Sequence, residues 1–233
     1  MAVVRMLATS LPALGSLMPM LKIHYRNDPH FDTTAGVFTI HNMAYQGVFD
    51  PARAMEFCGF QSSAFYNGSW CEHQDAFNAM KAGIMFADKV TTVSPTYAEE
   101  IRWTPEGYGM QSALQQRSPD VIGILNGIDT DEWNPETDPY IPVRYSAQHL
   151  SRKDANKQAL LRGFGLSDEE VRHDIPLIGM VTRLTEQKGI LLVTQVIESF
   201  LHTGECRFVL LGSGEQRLEN YFKDLAYRFP YHG

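Results

Sequence analysis

Cysteine is scarce. The 233 residues hold three, Cys58, Cys71 and Cys206, scattered along the chain and odd in number. No disulfide framework follows from them, and a reducing cytosol fits, so the sequence reads as cytoplasmic. Cys71-Glu72-His73 has no second Cys/His pair near it, so neither a metal nor any other cofactor is expected. Basic charge is short as well: 20 Lys and Arg stand against 27 Asp and Glu, a net −7. That disfavours a nucleic-acid partner. No uninterrupted apolar run is long enough to span a bilayer, which excludes a helical membrane partner. Residues 6–21 are mostly apolar behind one Arg, but no small-x-small cleavage site followed by a polar start is clear. They read as an altered first helix rather than a secretory leader. No Walker A loop is present, which excludes a P-loop ATPase. Asn67-Gly68-Ser69 matches a glycosylation acceptor, a match without meaning in a cytosolic protein.

What is present is ordinary for a folded domain, with 44% hydrophobic and 20% charged residues. The chain is organised around Val181-Thr182-Arg183-Leu184-Thr185-Glu186-Gln187-Lys188-Gly189-Ile190. An apolar run over residues 176–181 predicts a buried strand. Apolar residues then recur at Ile190, Val193, Ile197 and Phe200, with Leu192 and Val196 beside them, which predicts a helix with one buried face. Arg183 and Lys188 fall in the connection, where open α/β sheets bind ligands. A guanidinium fork and an ammonium group beside a helix N-terminus suit a phosphorylated ligand.

Other strand-end loops follow the same pattern. Residues 37–40 predict a buried strand feeding His41-Asn42-Met43-Ala44-Tyr45-Gln46-Gly47, a polar wall suited to a hydroxylated ligand. Residues 120–125 predict a strand before Asn126-Gly127, a turn signal first and a cleft-lining amide second. Residues 207–211 predict a strand before Gly212-Ser213-Gly214, where glycine permits close approach of a ligand to the backbone. Arg217 stands where a dinucleotide fingerprint needs its third glycine, so a nicotinamide cofactor is disfavoured. Further helices are predicted over residues 11–25, 76–88, from Ser94-Pro95 onward, over 153–164, and after Glu215 through Tyr227, with a strand over 89–93. Residues 51–70 are aromatic and irregular and read as short helices in a long surface insertion. Residues 131–145 carry Pro135, Pro139 and Pro142 without periodicity, so the chain divides into 1–130, a linker over 131–150, and 151–233.

Taken in order, these stretches resemble the bacterial-type glycogen (starch) synthases. The matching segments are residues 37–50 with the His-Asn-x-Ala-Tyr-Gln-Gly core, and Lys81-Ala82-Gly83 through Ser94-Pro95-Thr96-Tyr97. Leu125-Asn126-Gly127-Ile128-Asp129, Trp133-Asn134-Pro135, the Arg183-to-Gly189 stretch and Leu211-Gly212-Ser213-Gly214 complete the set. The resemblance covers roughly residues 17–228. It implies an α/β fold of GT-B type, with two Rossmann-like domains, both incomplete here, facing across a cleft. It implies retaining transfer of glucose from ADP-glucose, or UDP-glucose in some relatives, to the non-reducing end of an α-1,4-glucan, without a metal. Carried over, Arg183 and Lys188 would hold the donor diphosphate and stabilise the leaving nucleotide, and Gly212 and Gly214 would lie against the donor. His41 would sit against the transferred glucose, Asn126 would line the sugar side, and Asn42, Tyr45 and Gln46 would face sugar or acceptor. Three family features are missing: a Lys-x-Gly-Gly loop, an Asp-Trp-His segment and a Glu-Pro-x-Gly segment. The chain therefore reads as an internal fragment, and by itself it is expected to transfer no glucose. The rival readings are a non-catalytic α/β module that binds nucleotide or glucan, and a sucrose-phosphate-type glycosyltransferase using a UDP donor.

Overall fold

A computed structural model describes residues 5–9, 12–168, 170, 171 and 175–230. Contacts group the chain into two compact units, Met1–Gly127 and Ile128–Gly233.

The first unit begins with β1 (Arg5–Thr9), a turn of 3-10 helix at Pro12–Ser16, α1 (Leu17–Ile23) and β2 (Thr34–Ile40). Then come β3 (Val48–Phe49), α2 (Pro51–Phe57), β4 (Glu72–His73), β5 (Ala76–Asn78) and α3 (Ala79–Phe86). It closes with β6 (Lys89–Thr92), α4 (Pro95–Trp103), α5 (Gln111–Gln116) and β7 (Val121–Gly123). Strands β1, β2, β6 and β7 form one parallel sheet in that order, and β3, β5 and β4 form a small antiparallel one. Phe38 and Ile40 of β2 are buried against Met18, Met80, Ile84, Val90, Ile101 and Leu114. Period-2 alternation in β2 sends these residues to the core. Asn78 and Ser94 cap α3 and α4, accepting from the N–H groups of Lys81 and Tyr97, and Pro95 opens α4 at the position where a missing N–H costs nothing.

Several expectations change here. Residues 6–9, read together with 10–21 as an altered first helix, form strand β1 instead, while the helix expected over residues 11–25 is present as the 3-10 turn at Pro12–Ser16 followed by α1; residues 1–4, 10 and 11 lie outside the described residues. Parallel pairing with β2 won over local helical spacing. Residues 76–78 pair as β5 rather than opening the helix. The stretch over residues 51–70 is no mere surface insertion. Met55, Cys58 and Phe60 bury against Cys71 and Phe77, and Trp70 meets Phe60, Phe77 and Phe86 edge to face. Strand 120–125 shortens to β7, and Ile124 and Leu125 beyond it are exposed.

At the amino end of this sheet Asp88 pairs with Lys22 at 2.7 Å and accepts the Gly36 N–H at 2.6 Å. Burial pushes its carboxyl up, but these two contacts outweigh it and leave the group below its ordinary value. Asp120 is also held low, by hydrogen bonds from Lys89 and Arg117.

The second unit holds α6 (Lys153–Gly163), β8 (Leu177–Val181), α7 (Ile190–Thr203), β9 (Arg207–Leu211) and α8 (Gln216–Arg228). Asn156 of α6 accepts the Val143 N–H and donates to its carbonyl, pinning the proline-rich stretch. The Glu170 carboxylate accepts from the Ser167 N–H and hydroxyl, and the Glu170 and Val171 N–H groups donate to the Ser167 carbonyl. Strands β8 and β9 pair in parallel, Val181 opposite Leu211. Ile190, Ile197, Leu201, Phe208, Leu218, Phe222 and Leu225 form the core. Strand β8 is less buried than its composition predicts: Val181 is 79% and Leu211 69% exposed. These register partners point away from the face that carries Met180, Phe208 and Leu210, and helices α7 and α8 supply the rest of the core on that side. Phe200 is 44% exposed rather than core, because the buried line of α7 runs through Ile190, Ile197 and Leu201 and leaves Phe200 at its margin.

Candidate functional site

In the first unit the sequence-predicted residues gather at the carboxyl end of the parallel sheet. His41 follows β2, Ser94 and Tyr97 follow β6, and Asn126 follows β7. His41, Tyr45 and Asn126 are exposed, and the side chains of His41 and Asn126 make no hydrogen bond to a described residue. The loop between them is built rather than loose. Asn42 accepts the Ala44 N–H at 2.9 Å, and the Tyr97 hydroxyl accepts the N–H of buried Met43 at 3.4 Å. The carbonyls of Gln46 and Gly47 accept the N–H groups of Met80 and Ala79 at 3.0 and 2.9 Å. Those are donors that the first turn of α3 leaves unpaired. Gly47 has φ +66°, which lets the chain turn into this contact.

Gln46 is held from both sides. Its amide nitrogen donates to the Tyr108 carbonyl at 2.9 Å, and its oxygen accepts from Asn78 at 2.7 Å. Both ends are engaged, which fixes the wall, and the amide keeps one further N–H and one further lone pair. Asn78, fully buried, and Tyr108, held at φ 46°, went unnoticed in the sequence. The signal for Asn78 was available, since Asn directly before a helical run is a cap. Nothing local marks Tyr108.

In the second unit the two parallel strands end side by side, and their loops interlock. Thr182 donates to the Leu211 carbonyl, Leu184 to Ser213, and Glu215 back to Leu184, at 2.8 to 3.1 Å. This brings Arg183 and Lys188 to the same strand end as Gly212 and Gly214. Arg183 and Lys188 are exposed and make no ion pair or side-chain hydrogen bond among the described residues. Lys188 ends a single 3-10 turn, and Gly189 at φ 69° starts α7. The glycines also serve the packing of the two loops. A Cβ on Gly212 would meet the Thr182 carbonyl at 2.0 Å, and one on Gly214 the Leu184 carbonyl at 2.2 Å. Their missing side chains let the two loops touch. The Gly214 N–H is already taken by Glu219 at 2.9 Å. Arg217, noticed only as a missing glycine, bridges Glu186 and Glu215 and ties α8 to the cationic loop. Glu215 is held below its ordinary value by Arg217 and by the Glu186 N–H, and Glu219 by the Gly214 N–H. The outcome is an anchored loop with two uncommitted cations.

Among the described residues no group of three or more His, Cys, Asp or Glu side chains could hold a metal ion. None of their helices is long and apolar enough to cross a membrane.

A family profile described as the starch synthase catalytic domain matches residues 14–116. The glycogen synthase of Pseudothermotoga lettingae is 44% identical over 92% of this chain and 43% of its own length. That of Bacillus subtilis is 41% identical over 90% of this chain, again 43% of its own. The chain thus spans less than half the length of these curated relatives. Among solved structures, the catalytic domain of starch synthase IV from Arabidopsis thaliana, bound to ADP and acarbose, superposes with a TM-score of 0.87 at 35% identity. The match covers 98% of this chain and 46% of that one.

Proposed function

We propose that this chain, which belongs with the bacterial glycogen (starch) synthases and shares their α/β GT-B architecture, contributes to glucosyl transfer from a nucleotide-diphosphate glucose to an α-1,4-glucan. Its two units correspond in this reading to an acceptor-side part, residues 1–130, and a donor-side part, residues 151–233. One observation carries the reading: Arg183 and Lys188 stand exposed and unpaired among the described residues, on an anchored loop at the carboxyl end of β8. When a glycosidic bond to a nucleotide breaks, the diphosphate gains negative charge. Cations already held in place are worth most where charge develops. His41, Asn42, Tyr45 and Asn126 would face the sugar, and Gln46 would hold that wall in shape. ADP-glucose is the preferred donor, because the matching starch synthase IV structure holds ADP. UDP-glucose remains the other donor of this chemistry, and a cytoplasmic location away from membranes accompanies both.

The test is calorimetric titration with ADP. Arg183→Ala should weaken binding by about 1.5–3 kcal/mol, the usual worth of a charged hydrogen bond. An unchanged affinity would remove the assigned role. A parallel assay with labelled ADP-glucose and glycogen separates transfer from binding. Binding without incorporation of label is the outcome expected of this chain by itself, and incorporation would refute that expectation and establish the enzyme.

A further inference from the structure

Three carboxylates border the strand end that carries Arg183 and Lys188, and none of them is paired with either cation. Glu186 stands between the two in sequence, at the start of the 3-10 turn that Lys188 ends. A trans backbone separates it from Arg183 by at most about 11 Å and from Lys188 by at most about 7 Å, within the combined reach of a carboxylate and a long cationic side chain. Yet the Glu186 carboxylate pairs with Arg217 of α8, and Arg183 and Lys188 have no ion pair among the described residues. Glu215 is occupied too: one oxygen accepts from Arg217 at 2.9 Å and the other from the Glu186 N–H at 3.2 Å. Glu219 accepts the Gly214 N–H at 2.9 Å and pairs with Lys223 at 3.6 Å. The path of the loop does not depend on Arg217, because backbone bonds join Leu184 to Ser213 and Glu215 to Leu184. What Arg217 adds is a partner for the one carboxylate that could otherwise settle on the cations. The side chains of that pair are 56% and 62% exposed, so the contact is weak and its loss frees Glu186 to turn.

We propose that Arg217 is a positioning residue for the cationic loop: it holds the Glu186 carboxylate off Arg183 and Lys188 and so keeps both open to the diphosphate, which rests on the diphosphate role given to those two cations. Arg217 itself touches no ligand in this account. A carboxylate seated on a phosphate-binding cation takes the same charge-assisted hydrogen bonds that the phosphate needs, so the two compete. The effect of Arg217 on binding therefore exists only while residue 186 is charged. A pair of residues that act through one another gives non-additive changes, whereas a mere difference in net charge adds.

The test is a cycle of ADP titrations at low salt on Arg217→Met, Glu186→Gln and the two together. Arg217→Met keeps the apolar stem and removes the partner of Glu186. It should weaken ADP binding about threefold to fivefold, the size of a competing exposed ion pair, and less at high salt. Glu186→Gln alone should leave the affinity unchanged, and in the double variant it should restore what Arg217→Met lost. Thermal melts confirm the fold of each variant, with Arg217→Gln in place of Arg217→Met if the latter fails to fold. If Glu186→Gln weakens ADP as Arg217→Met does, Arg217 only ties the loop, and the proposal falls. If Glu186→Gln strengthens ADP equally in both backgrounds, net charge alone is at work, and it falls again. If the double variant stays as weak as Arg217→Met, Arg217 binds the diphosphate directly, which also overturns it. A second readout uses no nucleotide. Acylation of Lys188 by acetic anhydride, followed by mass spectrometry, should slow in Arg217→Met and recover in the double variant, and an unslowed rate overturns the contact. If Arg183→Ala leaves ADP affinity unchanged, the diphosphate reading fails while the acylation rates still decide where Glu186 turns, so the two failures are told apart.

Discussion

At the scale of single residues, Asn78 performs two tasks with one side chain. Its oxygen caps α3, and its nitrogen holds Gln46, which in turn holds Tyr108. Asn78→Ala should cost about 1–2 kcal/mol through the lost cap. Asn78→Ser retains a cap but is too short to reach Gln46. It should keep most of the stability while residues 41–47 exchange their amide protons faster. Denaturant melts and exchange on the two variants separate the roles, and equal exchange in the loop for Ser and Asn would show that the Gln46 contact does not fix it. The polar character of the loop was legible in its residue types. Which of its groups stay available was not, because Gln46 is engaged by residues 32 and 62 positions further along.

Among the elements, β2 decides the first unit. It is flanked by β1 and β6, and Phe38 and Ile40 are essentially without exposure. Phe38→Ala should destabilise the unit by about 3–5 kcal/mol, the cost of a large-to-small change in a packed core. A urea melt followed through Trp70 fluorescence would measure it, and a loss under 1 kcal/mol would mean that the site collapses around the hole. Strands β2, β6, β8 and β9 and helices α4, α6, α7 and α8 were readable from periodicity and caps, because their signals are local. Strand β1 and the β3–β5–β4 ribbon were not. A two- or three-residue strand carries too little pattern, and only its partner stabilises it.

For the molecule as a whole, depressed carboxylates set the acid response. Asp88, Asp120 and Glu72 in the first unit, and Glu198, Glu215 and Glu219 in the second, all lie below their ordinary values. A group whose folded value is lowered adds stability that is complete above its unfolded value and is lost as pH falls through the folded one. Stability should therefore hold from neutrality down to about pH 4–5 and fall below it. Urea melts at pH 7, 5 and 3 would show this, and Asp88→Asn should flatten the drop while lowering stability at pH 7. Stability that rises toward pH 3 would contradict the reading.

The amino-acid sequence by itself determined which residue types stand at the ends of the strands: cations after β8, an imidazole and amides after β2 and β7. It did so because strand period, caps and glycine turns are written within a few neighbouring residues. Only the tertiary structure decided which of those groups are free. Pairing of distant segments engages Gln46, fits Gly212 and Gly214 to the facing loop and joins Arg217 to Glu186. Such contacts depend on which surfaces meet, and no local stretch encodes that.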